Sequence, residues 1–303
     1  MSAFAKFFLL IVSLLILSFY LFNFKPVKSP DNFFISSKNI LLQPFAQKDN
    51  LPQQLIDQEV ATQNGTWAIA IKNLKTNKTY SYNENQKMPA ASIYKLATMW
   101  TVFDRIKNGE LTEDEELSGD TITLENLIDY GNYQNLEAQT ETEVLTYTIK
   151  NALQSMITVS DNYAAILLSE KIGWENIEFE MKNHGFDSFD LTSEDAPTVT
   201  AKSVMNLLDR IYAQTAVTKD ASDQMKKLLL SQKINDRIPK YLPSDVKVAH
   251  KTGELDNVRH DAGIVYGQKG DYIFVFLTET PAPGDTTEEI AQFSKKIYDA
   301  LEQ

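Results

Sequence analysis

Hydrophobic positions recur along this chain with two different periods, and the changes of period divide it. Residues 67–72 (Trp-Ala-Ile-Ala-Ile-Lys) and 79–82 (Thr-Tyr-Ser-Tyr) flank a polar turn at Thr76-Asn77, which predicts a β-hairpin. From Ser92 the period lengthens. Ile93, Leu96, Met99, Trp100, Val102 and Phe103 fall three and four apart, the spacing of a buried helix face. A mostly helical stretch continues to about Tyr212, punctuated by Asn108-Gly109, Gly119-Asp120 and Gly185. Strand patterns return at 246–251, 261–266 and 272–278, with Gly267-Gln268-Lys269-Gly270 joining the last two. Ahead of the hairpin, residues 51–62 read as a helix with Pro52 near its start and Asn64-Gly65 after its end. Near the other terminus Thr286, with Glu289 three residues on, forms a capping box that opens an amphipathic helix. Strands at both ends with helices between predict an α+β fold: one sheet built from both ends of the chain, flanked by the terminal helices, with a helical lobe inserted in the middle.

The first residues have a different pattern. Positions 7–24 are almost unbroken apolar sequence between Lys6 and the pair Lys25 and Lys28. At about 1.5 Å per residue such a run just crosses a ~30 Å hydrocarbon core. Phe19-Tyr20-Leu21-Phe22-Asn23-Phe24 offers no small residues for a signal-peptide cleavage site, so an uncleaved membrane anchor is expected. Residues 1–6 would then be a short tail. Residues 25–50, polar and carrying Pro26, Pro30 and Pro44, would be a stalk, and 51–303 the functional domain.

Composition narrows the chemistry. A chain of 303 residues with net charge −12 and no basic stripe is not expected to bind nucleic acid. With no cysteine there is no thiol catalysis, no disulfide and no Cys-ligated metal. His184, His250 and His260 show no ligand spacing with carboxylates, so neither metal nor cofactor is expected.

Three short motifs remain: Ser92-Ile93-Tyr94-Lys95, Ser160-Asp161-Asn162 and Lys251-Thr252-Gly253. A Ser-x-x-Lys arises by chance roughly once or twice in a chain this long, and Ser244-Asp245-Val246-Lys247 is a second copy. Context separates the two. Ser92 opens the apolar-periodic run, so Ser92 and Lys95 lie one helical turn apart and can exchange a proton. Ser244 precedes an extended run in which Ser244 and Lys247 point to opposite faces. A serine at a helix N-terminus also has free N–H groups beside it, suited to an oxyanion.

In this order and setting the motifs resemble those of the penicillin-recognising serine hydrolases, most closely the class A β-lactamases. The likeness extends to the first hairpin, to Ser155-Met156-Ile157-Thr158-Val159 leading into the second motif, and to His260-Asp261-Ala262-Gly263-Ile264-Val265 after the third. It implies that fold over residues 51–303: an antiparallel sheet flanked by helices plus an all-helical lobe, with the active site between them. It implies a β-lactam or a peptidoglycan stem peptide as substrate. It also places the catalytic domain outside the cytoplasm, which with the expected anchor puts the protein at the cell membrane.

The chemistry follows from the residue types. Ser92 would be the nucleophile, and Lys95 its base if burial and the nearby cation Lys251 lower its pKa. Ser160 can bridge the two lysines and pass a proton to the departing nitrogen. Asn162 would hold Lys95 and the substrate's side-chain amide, while Asp161 reads as a structural group. The backbone N–H groups of Ser92 and of Glu254, just past Gly253, would form the oxyanion hole. Thr252 and Arg259 would bind a substrate carboxylate.

Two departures stand out. Glu254 puts a carboxylate where the family usually has a small or hydroxyl-bearing residue, weakening anion recognition unless Arg259 offsets it. Residues 186–197 lack the Glu-x-x-Leu-Asn loop whose glutamate activates the deacylating water, and Glu194 is a displaced substitute at best. A D,D-peptidase, or a sensor that stays acylated, are therefore rival readings to a β-lactamase.

Overall fold

The computed structural model describes residues 50–128, 142–193 and 196–303, all within one compact unit, Lys48–Gln303. Its centre is a five-stranded antiparallel sheet. The strands are β1 (Thr66–Asn73), β2 (Thr79–Tyr82), β7 (Lys247–Leu255), β8 (Val258–Tyr266) and β9 (Tyr272–Glu279), in the order β2-β1-β9-β8-β7. Both ends of the chain build it, as the pattern of strands predicted.

Alternation along β1 explains why both faces are covered. Trp67, Ile69 and Ile71 point to one side, where Phe274, Phe276, Ile290, Phe293 and Ile297 complete a cluster beneath α1 (Leu51–Val60) and the C-terminal helix. Ala68 and Ala70 point to the other side, into a larger core shared with the helical lobe. Strand β9, buried on both faces from Tyr272 to Thr278, is the continuous apolar run such a position requires.

The lobe comprises α2 (Lys95–Lys107), α3 (Thr121–Ile128), α4 (Ile149–Thr158), α5 (Asn162–Ile172), α6 (Trp174–Asn183), α7 (Ala201–Tyr212) and α8 (Lys219–Leu230). It also carries a hairpin the periodicity did not predict, β4 (Glu116–Asp120) with β5 (Val144–Thr148). Apart from Leu117 their positions are exposed or half-buried, so they lack the apolar alternation that marks a strand. A two-residue pair, β3 (Met88–Pro89) with β6 (Thr198–Val199), ties the approach to Ser92 to the loop before α7.

Two expectations are corrected. The last helix, α9 (Pro283–Leu301), starts three residues before Thr286, because Pro283 at its first turn presets the helical φ. The Thr286 hydroxyl donates back to the Ala282 carbonyl at 3.1 Å instead of capping. The cell-membrane location is the second correction. The apolar run at 7–24 lies outside the described residues, and among the described residues no helix is long and apolar enough to cross a membrane. Helix α9, with 19 residues, has the length but carries Asp285, Glu288, Glu289, Lys295, Lys296 and Asp299.

Candidate active site

Ser92 lies in a 3-10 turn, Ala91–Tyr94, that runs directly into α2, so Ser92 and Lys95 sit one turn apart as the spacing predicted. The chain enters the turn through Ala91 at φ 41°, a left-handed conformation that costs a residue with a Cβ about 1–2 kcal/mol. Such strain persists only where neighbours over-determine it. Here the N–H of Ala90 donates to the Pro197 carbonyl at 2.8 Å, and His260 Nε2 lies 2.7 Å from the Pro89 carbonyl. His260 Nδ1 accepts the Thr278 N–H at 3.0 Å, so Nε2 carries the proton and donates. Burial pushes this ring's pKa down to about 4, which keeps it in that neutral form at pH 7.

Gly253 completes the clamp. A Cβ there would come within 3.2 Å of the Ile93 side chain and 3.3 Å of Ala91 Cβ. The glycine of the third motif is what lets β7 approach the Ser92 turn.

Lys95 is buried at the start of α2, with its ammonium turned to the second motif. It donates to the Ser160 carbonyl and to Asn162 Oδ1, both at 2.7 Å, and more distantly to Ser160 Oγ and the Asp161 carbonyl, both at 3.4 Å. Lys251, equally buried, donates to Ser160 Oγ at 2.9 Å and to the Thr252 carbonyl at 2.7 Å. The Ser160 hydroxyl therefore lies between two lysines. Burial lowers Lys95 to a pKa of about 7 against the opposing charge of Asp161. Lys251 is held well below its usual range, first by burial and then by Lys95, with Asp261 opposing and Arg237 adding.

Ser160 reaches this position through a left-handed φ of 60°. Asp161 has the structural role expected of it: it caps α5 by accepting the Ala164 N–H at 3.1 Å and accepts the Tyr147 hydroxyl at 2.9 Å. Asn162 is exposed and uses its Oδ1 to accept from Lys95.

Strand β7 is a free edge of the sheet. Asp256-Asn257 closes a two-residue hairpin between Leu255 and Val258, the pair next to the turn and hence hydrogen-bonded. Alternation then makes Glu254–Arg259 and Thr252–Asp261 non-hydrogen-bonded pairs, so the N–H of Glu254 points outward, away from β8. The Thr252 carbonyl, outward by the same rule, is the one Lys251 meets. Thr252 itself is buried.

Arg259 is not brought into this group. Its guanidinium caps its own hairpin, donating to the carbonyls of Leu255 at 2.6 Å and Val258 at 2.7 Å. The cation beside the third motif is Arg237 instead. Its fully buried side chain forms an ion pair with Glu254 and lies 3.3 Å from Asp236. Ser244, the competing serine, is in an exposed turn ahead of β7.

A sequence profile of the beta-lactamase enzyme family matches residues 51–301. The chain belongs to that family. No curated protein sequence matches it. Among solved structures, a variant of PBP-A described as an acyl-enzyme complex with penicillin G is 22% identical, with TM-score 0.72 over 84% of this chain and 97% of that one. A class A beta-lactamase from Bacteroides cellulosilyticus is also 22% identical, with TM-score 0.69 over 83% and 98%. TLA-3 extended-spectrum beta-lactamase is 18% identical, with TM-score 0.72 over 84% and 100%. The fold is that of class A β-lactamases.

Within this beta-lactamase-family site, sequence reasoning missed the residues that act through burial. Asp261, with no exposed surface, accepts the Ile238 N–H at 3.0 Å and pairs with His250 Nδ1 at 2.8 Å, while His250 Nε2 lies 3.0 Å from Asn235. These contacts fasten the loop carrying Arg237 behind the third motif. The only signal was negative: two of three histidines flank the third motif yet have no metal-ligand spacing. The 186–197 loop is fastened by Glu178, which accepts from the N–H groups of Leu191 at 2.8 Å and Thr192 at 2.9 Å and from Thr192 Oγ1 at 2.8 Å. Burial pushes its pKa up, but Lys182, Thr192 and the two N–H groups outweigh that and bring it to about 2. Glu178 is thus committed as an anion and not free to activate water. Glu194 lies outside the described residues.

Proposed function

We propose that residues 51–303 form a serine hydrolase that opens the β-lactam amide through an acyl-Ser92 intermediate and deacylates slowly. The observation that carries this reading is the Ser160 hydroxyl held between Lys95 and Lys251, beside the turn that presents Ser92. Neutral Lys95 takes the Ser92 proton as Oγ attacks the carbonyl carbon. The oxyanion forms at the N–H groups of Ser92 and Glu254. Ser160 hands its proton to the departing nitrogen as the C–N bond breaks and recovers one from a lysine, leaving a Ser92 ester. An acyl-enzyme with penicillin G is what the similar PBP-A structure holds, which favours the same adduct here. Asn162 would hold the acyl side-chain amide. Thr252, with Arg237 in place of Arg259, would meet a substrate carboxylate.

Slow deacylation is favoured by the partners of Lys95: among the described residues no carboxylate hydrogen-bonds to it. Without a general base, hydrolysis of the ester loses roughly 10²–10⁴-fold. The same observation favours a second reading, a D,D-peptidase acting on peptidoglycan stem peptides, whose acyl-enzyme is resolved by an amine. Stopped-flow turnover of a chromogenic cephalosporin tests the proposal. A burst equal to the enzyme concentration, followed by a slow steady rate, is the expected trace; fast linear turnover without a burst contradicts slow deacylation.

A further inference from the structure

Arg237 is a fixed cation with a movable partner. Its side chain has no exposed surface, and its loop is fastened by the Asp261–Ile238 and His250–Asn235 contacts. Its Nε and Nη1 have no hydrogen-bond partner among the described residues, although Asp236 lies 3.3 Å from Nη1. Nη2 alone is engaged, by the Glu254 carboxylate. That glutamate is 52% exposed and, being at an edge-strand position, can turn toward water by side-chain rotation alone. Glu254 shares a face of β7 with Thr252, two residues away, so its carboxylate lies where an anionic group bound by Thr252 and Arg237 would go.

We propose that Glu254 is a resident competitor for the carboxylate subsite: its side chain occupies Arg237, and an anionic ligand binds only by displacing it. The inference rests on the acylation reading above. A buried guanidinium gains from each anion beside it: Asp236 stays 3.3 Å from Nη1 in either state, and the place at Nη2 is taken by Glu254 or by the ligand's carboxylate. A free-acid substrate exchanges one ion pair for another and gains little at this subsite. A substrate that is neutral there leaves the resident pair intact. Glu254 therefore narrows the enzyme's preference for free-acid over neutral β-lactams.

The test is the acylation rate constant of the full chain with penicillin G and with its methyl ester, each followed by intact mass. In Glu254→Gln the acid-to-ester ratio is expected to rise about tenfold, the worth of one charge-assisted hydrogen bond to Arg237. Glu254→Ser is expected to raise it similarly, and adding Arg237→Ala to either is expected to abolish the rise. A ratio taken within one variant is unaffected by the fraction of protein that folds. An unchanged ratio in both variants, with Ser92 still acylated, overturns the competitor role and leaves the acylation reading standing. Acylation of wild type by neither compound overturns both.

Discussion

Lys95 has no exposed surface and takes four oxygen acceptors from the second motif, none of them a carboxylate oxygen. An ammonium in that position is poorly compensated for its lost hydration, so burial brings its pKa down to about 7. The sign for activity follows directly. Above that value the amine is neutral and can accept the Ser92 proton; below it the base is already protonated. The acylation rate constant is expected to fall as pH is lowered through about 7, to roughly a tenth of its plateau one unit below. A pH–rate profile by stopped flow checks this, and a profile flat from pH 5 to 9 would remove Lys95 as the base. The motif residues were legible because their chemistry is local: Ser92 and Lys95 are three apart on one turn, and Asp161 precedes the helix it caps. Arg237 was not legible. The loop ahead of β7 brings its buried side chain to Glu254 only through tertiary packing, while Arg259 spends its guanidinium on its own hairpin carbonyls.

At the scale of elements, the β7–β8 hairpin carries the third motif, and two glycines set how closely things pack on it. Gly253 admits the Ser92 turn on one face. Gly263, paired with His250, does the same on the other: an added Cβ would lie 2.5 Å from His250 Cβ and 2.8 Å from the Ala249 carbonyl. Backbone cannot yield as a flexible side chain can. Gly263→Ala is expected to destabilise the protein by about 1–3 kcal/mol, read as a lower urea midpoint at unchanged slope. A midpoint equal to wild type would mean the hairpin is looser than its register implies. The apolar strands of the sheet were legible in their periodicity; the β4–β5 hairpin was not, since Glu116–Asp120 and Val144–Thr148 bury little more than Leu117.

For the whole molecule, the candidate active site is a joint between two cores. The sheet side brings Lys251, Gly253 and Glu254, the helical lobe brings Lys95 and Ser160, and His260 crosses from β8 to Pro89 to hold the nucleophile's turn against both. On the proposed reading that joint would supply a nucleophile, a base, a proton relay and an outward N–H, and among the described residues no carboxylate hydrogen-bonds to Lys95. A long-lived ester on Ser92 is what the proposed function predicts from this. The direct test is to mix the protein with penicillin G, take its intact mass within seconds and after an hour, and map the adduct by peptide digestion. The account predicts one penicilloyl group per chain, located on Ser92, still largely present at the later time and absent from Ser92→Ala. An adduct at any other residue, or equal labelling of Ser92→Ala, would contradict it.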